Sequence, residues 1–322
     1  MFLHVIFRTL QTILVMLAVS FIVFIMNYFG GGDPVYVMLP LQATQADIEA
    51  MRQALGLDKP LVVQYGIYMT HLIEGDMGNS WTQGRPVIDI ILQRLPATLE
   101  LALAGIIFST VIGVPLGFYV ALKPNSWFSK GSIGVSILGM SIPPFWLGIM
   151  LILIFSVTFG WLPSSGRGET IVLAGVHLSF LTLDGLVHLI LPGLTMAVFN
   201  IALIMRLQRA ELLEQLTQDY VKFAKAKGVP MRRVILRHAF RNTLLPVVTF
   251  ISLMFAQSLA FAVITETIFA WPGTGKLLID AIGVNDRPVV VGYIMLSAVM
   301  FSLINLLTDL TYALIDPRVR VR

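Results

Sequence analysis

The 322-residue chain is 57% hydrophobic and only 12% charged, with mean hydropathy +0.83. Soluble domains carry about 25% charged residues, so this chain lacks the polar surface to cover a water-facing globule. It has no cysteine, which excludes disulfides, thiolate metal sites and cysteine nucleophiles, and its five histidines are scattered without metal-ligand spacing.

Lipid is therefore the expected solvent. A bilayer core of about 30 Å takes about 20 apolar residues in a helix. Six stretches qualify in chain order: Leu10–Tyr28, Leu101–Val120, Gly131–Phe159, Leu186–Met205, Thr243–Thr265 and Pro288–Leu307. Only His188 interrupts their uncharged character, and Gly131–Phe159 is longer than a span needs. Continuous apolarity without period-two alternation indicates helices rather than barrel strands. The first run is longer than a signal-peptide core and no small-residue cleavage site follows it, so it reads as a retained anchor.

Between the first two spans, residues 30–95 read as a small helical insert. Thr44 with Asp47 makes a capping-box pattern. Leu55-Gly56 closes that helix, Lys59-Pro60 opens the next, and Val62, Tyr65, Ile67, Met69 and Leu72 carry it to Ile73. Gly75-Asp76-Met77-Gly78 ends the insert as a turn. Such an insert is either a cap on the spans or a docking surface for another protein.

Orientation follows from the basic residues. With the N-terminus inside, 15 of the 22 Lys and Arg fall on the inner side. Nine of those lie between spans four and five, and Arg318, Arg320 and Arg322 lie at the C-terminus. Thirteen of the 18 acidic residues fall outside or at outer helix ends. This is the positive-inside pattern with both termini cytoplasmic. The basic excess is thus a topology signal, and a nucleic-acid partner is not expected.

The inner loop 206–242 is the most informative stretch. Arg206–Gln218 reads as span four continuing into water. Asp219, Tyr220, Val221, Lys222, Phe223, Ala224, Lys225, Ala226, Lys227 and Gly228 follow as a short helix. Val221, Ala224 and Lys225 share a face at helical spacing, and the small alanines permit another protein to approach closely. Gly228 suits the residue after a helix end, Pro230 blocks continuation, and a second basic helix, Met231–Asn242, leads into span five. On chemistry alone the short helix fits a lipid surface as well as a protein partner.

The stretch from Asp219 to Gly228, with Arg237-His238-Ala239-Phe240-Arg241-Asn242 and Leu244-Leu245-Pro246, resembles the cytoplasmic coupling loop of binding-protein-dependent ABC permeases. It is most similar to the dipeptide/oligopeptide subfamily, on the side of its first membrane subunit. Gly56-Leu57-Asp58-Lys59-Pro60, Gly75-Asp76-Met77-Gly78-Asn79-Ser80, Leu95-Pro96-Ala97-Thr98-Leu99-Glu100-Leu101 and Ser141-Ile142-Pro143-Pro144-Phe145-Trp146 resemble further family segments. So do Thr265-Glu266-Thr267-Ile268-Phe269 with Trp271-Pro272-Gly273-Thr274-Gly275, and Asp316-Pro317-Arg318. The broader Glu-Ala-Ala pattern is not kept, because Lys222 and Phe223 stand at its first two positions.

The resemblance implies a type I ABC importer-like permease with six transmembrane helices. It divides into residues 1–29 with the first helix, a periplasmic insert over 30–95, and a permease core over 96–322 carrying the coupling loop 206–242. Implied partners are a homologous second permease subunit, two cytoplasmic ATPase subunits, a periplasmic solute-binding protein and the lipid bilayer. The chain has no phosphate-loop motif, so no cofactor is expected on it, and ATP with Mg belongs to the ATPase subunits. The implied setting is a bacterial inner membrane, and the implied activity is transport rather than enzymatic catalysis.

Translocation-path candidates are the few polar or helix-breaking residues in the spans: Glu100, Ser141, Pro143, Pro144, Asn200 and Glu266. The two glutamates read either as a polar vestibule or as helix-end salt bridges. Asn200 suits a helix–helix hydrogen bond, and His188 reads as a satisfied polar residue. Two other six-span functions compete. An intramembrane protease would need a serine facing a histidine, and no G-x-S-x-G is present. A secondary transporter acting alone would show inverted repeats and paired intramembrane charges, which the sequence does not show.

Overall fold

The computed structural model describes residues 2–30, 35, 44–54 and 56–315. Leu55, the Asp316-Pro317-Arg318 segment and the cations Arg320 and Arg322 lie outside these, as do the side chains of Arg8 and Asp309. The described chain is helical apart from one short hairpin and the connecting turns. In order it forms α1 (Phe2–Gly30), α2 (Gln45–Ala54), α3 (Leu61–Ile73), α4 (Val87–Leu122), α5 (Trp127–Ser141) and α6 (Pro144–Thr158). Then come β1 (Ile171–Leu173), β2 (Val176–Leu178), α7 (Leu183–Thr217), α8 (Asp219–Ala226), α9 (Met231–Ile268), α10 (Thr274–Gly283) and α11 (Arg287–Ile315).

Among the described residues, five helices are long and apolar enough to cross a bilayer: α1, α4, α7, α9 and α11. The sixth expected span, Gly131–Phe159, is not one helix. It is the pair α5 and α6, bent by 109° at Ile142-Pro143. The cause is local. Each proline disfavours helical backbone in the residue before it, and Ile142 and Pro143 are both extended. Neither Pro143 nor Pro144 can donate to the carbonyls of Gly139 and Met140 four residues back.

The chain divides into two compact units, Met1–Leu95 with Leu277–Leu306 and Pro96–Lys276 with Leu307–Arg322. In the first, α2 begins on the expected box. The Thr44 backbone N–H and hydroxyl donate to Asp47 Oδ2 at 2.9 and 2.7 Å, and the Asp47 N–H returns to Thr44 Oγ1 at 3.3 Å. These bonds from Thr44 hold the Asp47 carboxyl below its usual range. Pro60 is the N-cap of α3 rather than its first residue. Tyr65 of α3 meets Phe21 and Phe24 of α1 at ring centroids of 5.4 Å and shares a 2.9 Å hydrogen bond with Ser20. Sequence reading gave Asp286 no role. It is buried and accepts from the Ser80 hydroxyl (2.5 Å), the Trp81 N–H (3.1 Å) and both donors of Thr82 (3.2 and 2.6 Å). Burial pushes its carboxyl up, and these bonds outweigh burial and hold it below the usual range.

The second unit is built around α7. Half of its span is buried, against 11% for α1, whose apolar surface is left for lipid. Along α4, Gly105, Ser109, Gly113 and Gly117 recur every four residues and so share one face. A Cβ at Gly105 would meet Met196 at 2.9 Å, one at Gly113 would meet Ile204 at 3.0 Å, and one at Gly117 would meet the Met205 carbonyl at 2.5 Å. Lipid provides no hydrophobic drive between helices, and small residues let backbones approach so that dispersion holds them together. The hairpin turns at Ala174 and Gly175, both with positive φ. Its three-residue strands were too short for the sequence to declare. The expected helix Met231–Asn242 is not separate: it runs through a π-helical turn, Val234–Ala239, into the rest of α9.

Gly117→Leu should cost at least the roughly 1–3 kcal/mol of an overpacked core, because the new side chain meets the α7 backbone. Gly131→Ala, where nothing lies within 4 Å, should be silent. Thermal unfolding of the two variants in detergent distinguishes them, and equal melting temperatures would mean that the close approach carries no stability.

Candidate functional site

Helix α9 presents Met254, Ser258, Phe261 and Thr265 at i, i+4, i+7 and i+11, one helical face. That face, the bend between α5 and α6, and the middle of α7 enclose a cavity of about 520 Å³. Ser141, Pro143, Pro144 and Asn200 all line it. So do Thr195, Gln257 and Ser258, which sequence reading did not single out. The face periodicity of α9 was the available signal.

No lining residue carries a charge. Asn200 donates from Nδ2 to Ser258 Oγ at 3.5 Å, the outer limit of a hydrogen bond, so both keep capacity for a further partner. The Ser141 hydroxyl donates to Ile137 O at 3.0 Å beside the bend. Met140, Met196 and Met254 form much of the apolar wall, and their unbranched thioethers adapt to varied shapes. Such a cavity can hold an uncharged polar surface and an apolar one together, and it contains no nucleophile–base pair.

Glu100 and Glu266 do not line it. Glu100 is held in an ion pair with Arg167, whose Nε and Nη2 reach Oε2 at 3.0 and 2.8 Å. The Ser179 N–H and hydroxyl complete the set at 2.8 and 2.6 Å. Glu266 is fully buried and accepts from the Thr98 hydroxyl at 2.7 Å and the Lys276 N–H at 2.8 Å. Gly273 lies against this carboxylate so closely that a Cβ there would overlap it. The Thr274 N–H donates to Thr98 Oγ1 at 2.8 Å, and Trp271 Nε1 donates to Ala97 O at 2.8 Å. The glycine-containing Trp271–Lys276 turn resembles a phosphate loop in composition alone, and it wraps a carboxylate of its own chain. His188 bonds the Asp184 carbonyl through Nδ1 at 2.8 Å.

The second site is α8 with the turn after it. Gln218 is extended (ψ 153°), which ends α7 and starts α8 in a new direction. The end of α8 is a Schellman motif: Gly228 N–H bonds Lys225 O at 2.9 Å, and Val229 N–H bonds Ala224 O at 3.1 Å. Gly228 has φ +75°, a conformation that a side chain resists. The expected shared face of Val221, Ala224 and Lys225 divides. Val221 is fully buried and Ala224 half-buried, whereas Lys225 is exposed. Val221 and Lys225 stand one turn apart on the same side, and the long lysine side chain keeps its ammonium in solvent. Tyr220 donates to Gln215 Oε1 at 2.8 Å, and Asp219 pairs with Lys222 at 2.8 Å in the open. The outward face carries Ala226, Lys227 and Phe223. Phe223 is 61% exposed with the Lys227 ammonium 4.4 Å over its ring. Sequence reading treated Phe223 only as a departure from a pattern, yet it is the large apolar group that α8 leaves exposed.

Residues 113–321 match the family described as "Binding-protein-dependent transport system inner membrane component", and residues 1–102 match the N-terminal region of such membrane components. Curated relatives include an oligopeptide transport system permease protein of Bacillus subtilis, 37% identical with 98% of both chains covered. A di/tripeptide permease protein of Pseudomonas aeruginosa is 43% identical, and a dipeptide permease protein of Escherichia coli K12 is 41% identical, each with 90% of both chains covered. Among solved structures, inward-facing forms of the MetNI methionine ABC transporter share the fold at TM-scores of 0.53 and 0.54, with 15% and 17% identity. Each alignment covers 70% of this chain and 96% of the other.

Arg167→Met should leave Glu100 buried without its cation, at a cost of about 3–5 kcal/mol. The double variant with Glu100→Gln, which can still bond Ser179, should recover most of that. Thermal unfolding of both in detergent is the measurement, and a silent Arg167→Met would show that the pair is not a structural lock.

Proposed function

This chain belongs to the family of inner-membrane components of binding-protein-dependent transport systems, and on that premise we propose that it forms one membrane-spanning half of an ATP-driven importer for peptides. The observation that carries the cargo class is the full-length similarity to three permease proteins named for oligopeptides, di/tripeptides and dipeptides. An uncharged cavity with pliable methionine walls is consistent with cargo whose side chains vary.

In this reading Ser141, Pro143, Pro144 and Asn200 line the path, and a homologous second subunit supplies the facing wall. Glu100 and Glu266 serve the path indirectly, by fixing the helix ends that frame it. Helix α8, from Asp219 to Gly228, seats in a cytoplasmic ATPase subunit, with Phe223 and Lys227 on the presented face and Val221 anchoring the helix to its own chain. Two such ATPase subunits would use ATP and Mg, and this chain would bind no cofactor and catalyse no reaction. Residues 1–29 supply the first span, residues 30–95 an outer insert that meets a periplasmic binding protein, and residues 96–322 the core. The inner excess of 15 basic residues among 22 supports cytoplasmic termini in a bacterial inner membrane.

The mechanical logic rests on α7. Its 35 residues span about 50 Å. It lines the cavity at Thr195–Asn200 and ends next to α8. A displacement of α8 by closing ATPase subunits is thus carried as a rigid-body shift to the cavity wall.

Gly228→Leu should break the Schellman turn at a cost of about 1–2 kcal/mol, roughly tenfold in the population of the capped helix. ATPase activity stimulated by loaded binding protein should fall accordingly in the reconstituted complex. Gly228→Asn, which tolerates left-handed backbone, should retain most of it, and membrane levels should not change. Unchanged stimulation in Gly228→Leu and in Ala224→Asp would remove α8 from the coupling role.

A further inference from the structure

A second cavity lies apart from the first and has a different character. It holds about 480 Å³ between the inner half of α4, helix α5 and α7, and Ile112, Leu116, Val135, Val198, Ile201 and Met205 line its walls. This is within the usual range of about 300–1,000 Å³ for a small-molecule site. Apart from the Trp127 indole N–H, its polar lining side chains are Ser132 and Ser136, and the Ser136 hydroxyl is turned back to Ile133 O at 2.8 Å. The walls belong to membrane-spanning segments, so the occupant is a hydrocarbon chain or another helix.

What stands at one end of the groove decides between them. Trp127 and Phe128 line that end, and Trp127 is 85% exposed at the first residue of α5. Lys123 lies over the Tyr119 ring at 5.6 Å, and that ring meets Phe128 edge-on at 5.2 Å. The Lys123 ammonium is therefore tied to the groove mouth, whereas Lys130 stands on the other face of α5 with Gly134 and Ile137, which do not line the groove. No Asp or Glu occurs between Glu100 and Glu169, so neither α5 nor its leading turn supplies a carboxylate to neutralise Lys123. The cores of protein interfaces are depleted in lysine. An apolar slot that opens beside an exposed lysine and an exposed tryptophan matches instead a chain below an anionic headgroup.

We propose that this groove is a binding site for an anionic phospholipid, with one acyl chain between α4, α5 and α7 and the phosphate at Lys123. The site is separate from the cavity at the α5–α6 bend and does not depend on the cargo assignment. A lipid held there would brace the α5–α7 contact, where a Cβ at Gly139 would already meet Val198 at 3.0 Å.

The test uses the full chain, purified with whatever subunits accompany it and exchanged into nanodiscs of equal phosphatidylglycerol and phosphatidylcholine. Lipid retained after transfer to detergent is read by native mass spectrometry. Phosphatidylglycerol should be enriched, and Lys123→Gln should reduce that enrichment about fivefold, whereas Lys130→Gln on the far face of α5 should leave it unchanged. Ser132→Leu, which fills the groove, should release lipid of both classes. Equal retention of the two lipids by the unaltered protein would overturn the proposal. So would enrichment that survives Lys123→Gln, an equal loss in Lys130→Gln, or cross-linking from Trp127→Cys to another membrane subunit in place of lipid.

Discussion

Hydrocarbon offers no partner to a free backbone group, and that constraint orders most of this structure. Wherever the chain runs through lipid it is helical. Where it leaves the helix, at Ile142-Pro143, a cavity with hydroxyls and amides lies beside the break. The bend and the cavity are one feature: Pro143 and Pro144 withdraw two donors, and the backbone that this exposes needs a polar, hydrated surface. The same constraint governs the carboxylates. Glu100 and Glu266 would be costly in an apolar bundle, and each is surrounded by donors within 3.0 Å.

How legible this was depended on the distance between interacting residues in the chain. Local signals read true. The Thr44–Asp47 box, the end of α3 at Ile73, the helical continuation of span four beyond Met205 and the left-handed Gly228 are all written within a few residues. The double proline announced a break, but no sequence rule gives its angle of 109°. Contacts across long separations were invisible. Arg167 finds Glu100 at 67 residues, Thr98 finds Glu266 at 168, and Ser80 finds Asp286 at 206. Each pairs an ordinary residue with a carboxylate that composition alone places in no particular role. Helical periodicity placed Val221 and Lys225 together, and only packing shows that one is buried and the other free to meet solvent.

A division of labour follows. Polar locks tie Thr98 and Glu100 inside α4 to the end of α9 and the turn before α7, and small residues along α4 let α7 come close. The cavity itself is left without charges or fixed polar recognition. On the proposed reading, such a frame moves as rigid pieces while its central surface accepts differing cargo, and the drive enters through α8.

On the proposed reading, the cavity at the α5–α6 bend is the solute path. The chain has no native cysteine, so Ser141→Cys introduces the only thiol in this subunit. Its reaction with a membrane-impermeant maleimide, in the assembled complex with and without ATP, tests that role directly. The expected result is labelling whose rate changes with nucleotide and falls when transported peptide is present, while Val135→Cys on α5 stays inert. Labelling of Ser141→Cys that is absent in every state, or indifferent to both nucleotide and peptide, would contradict it.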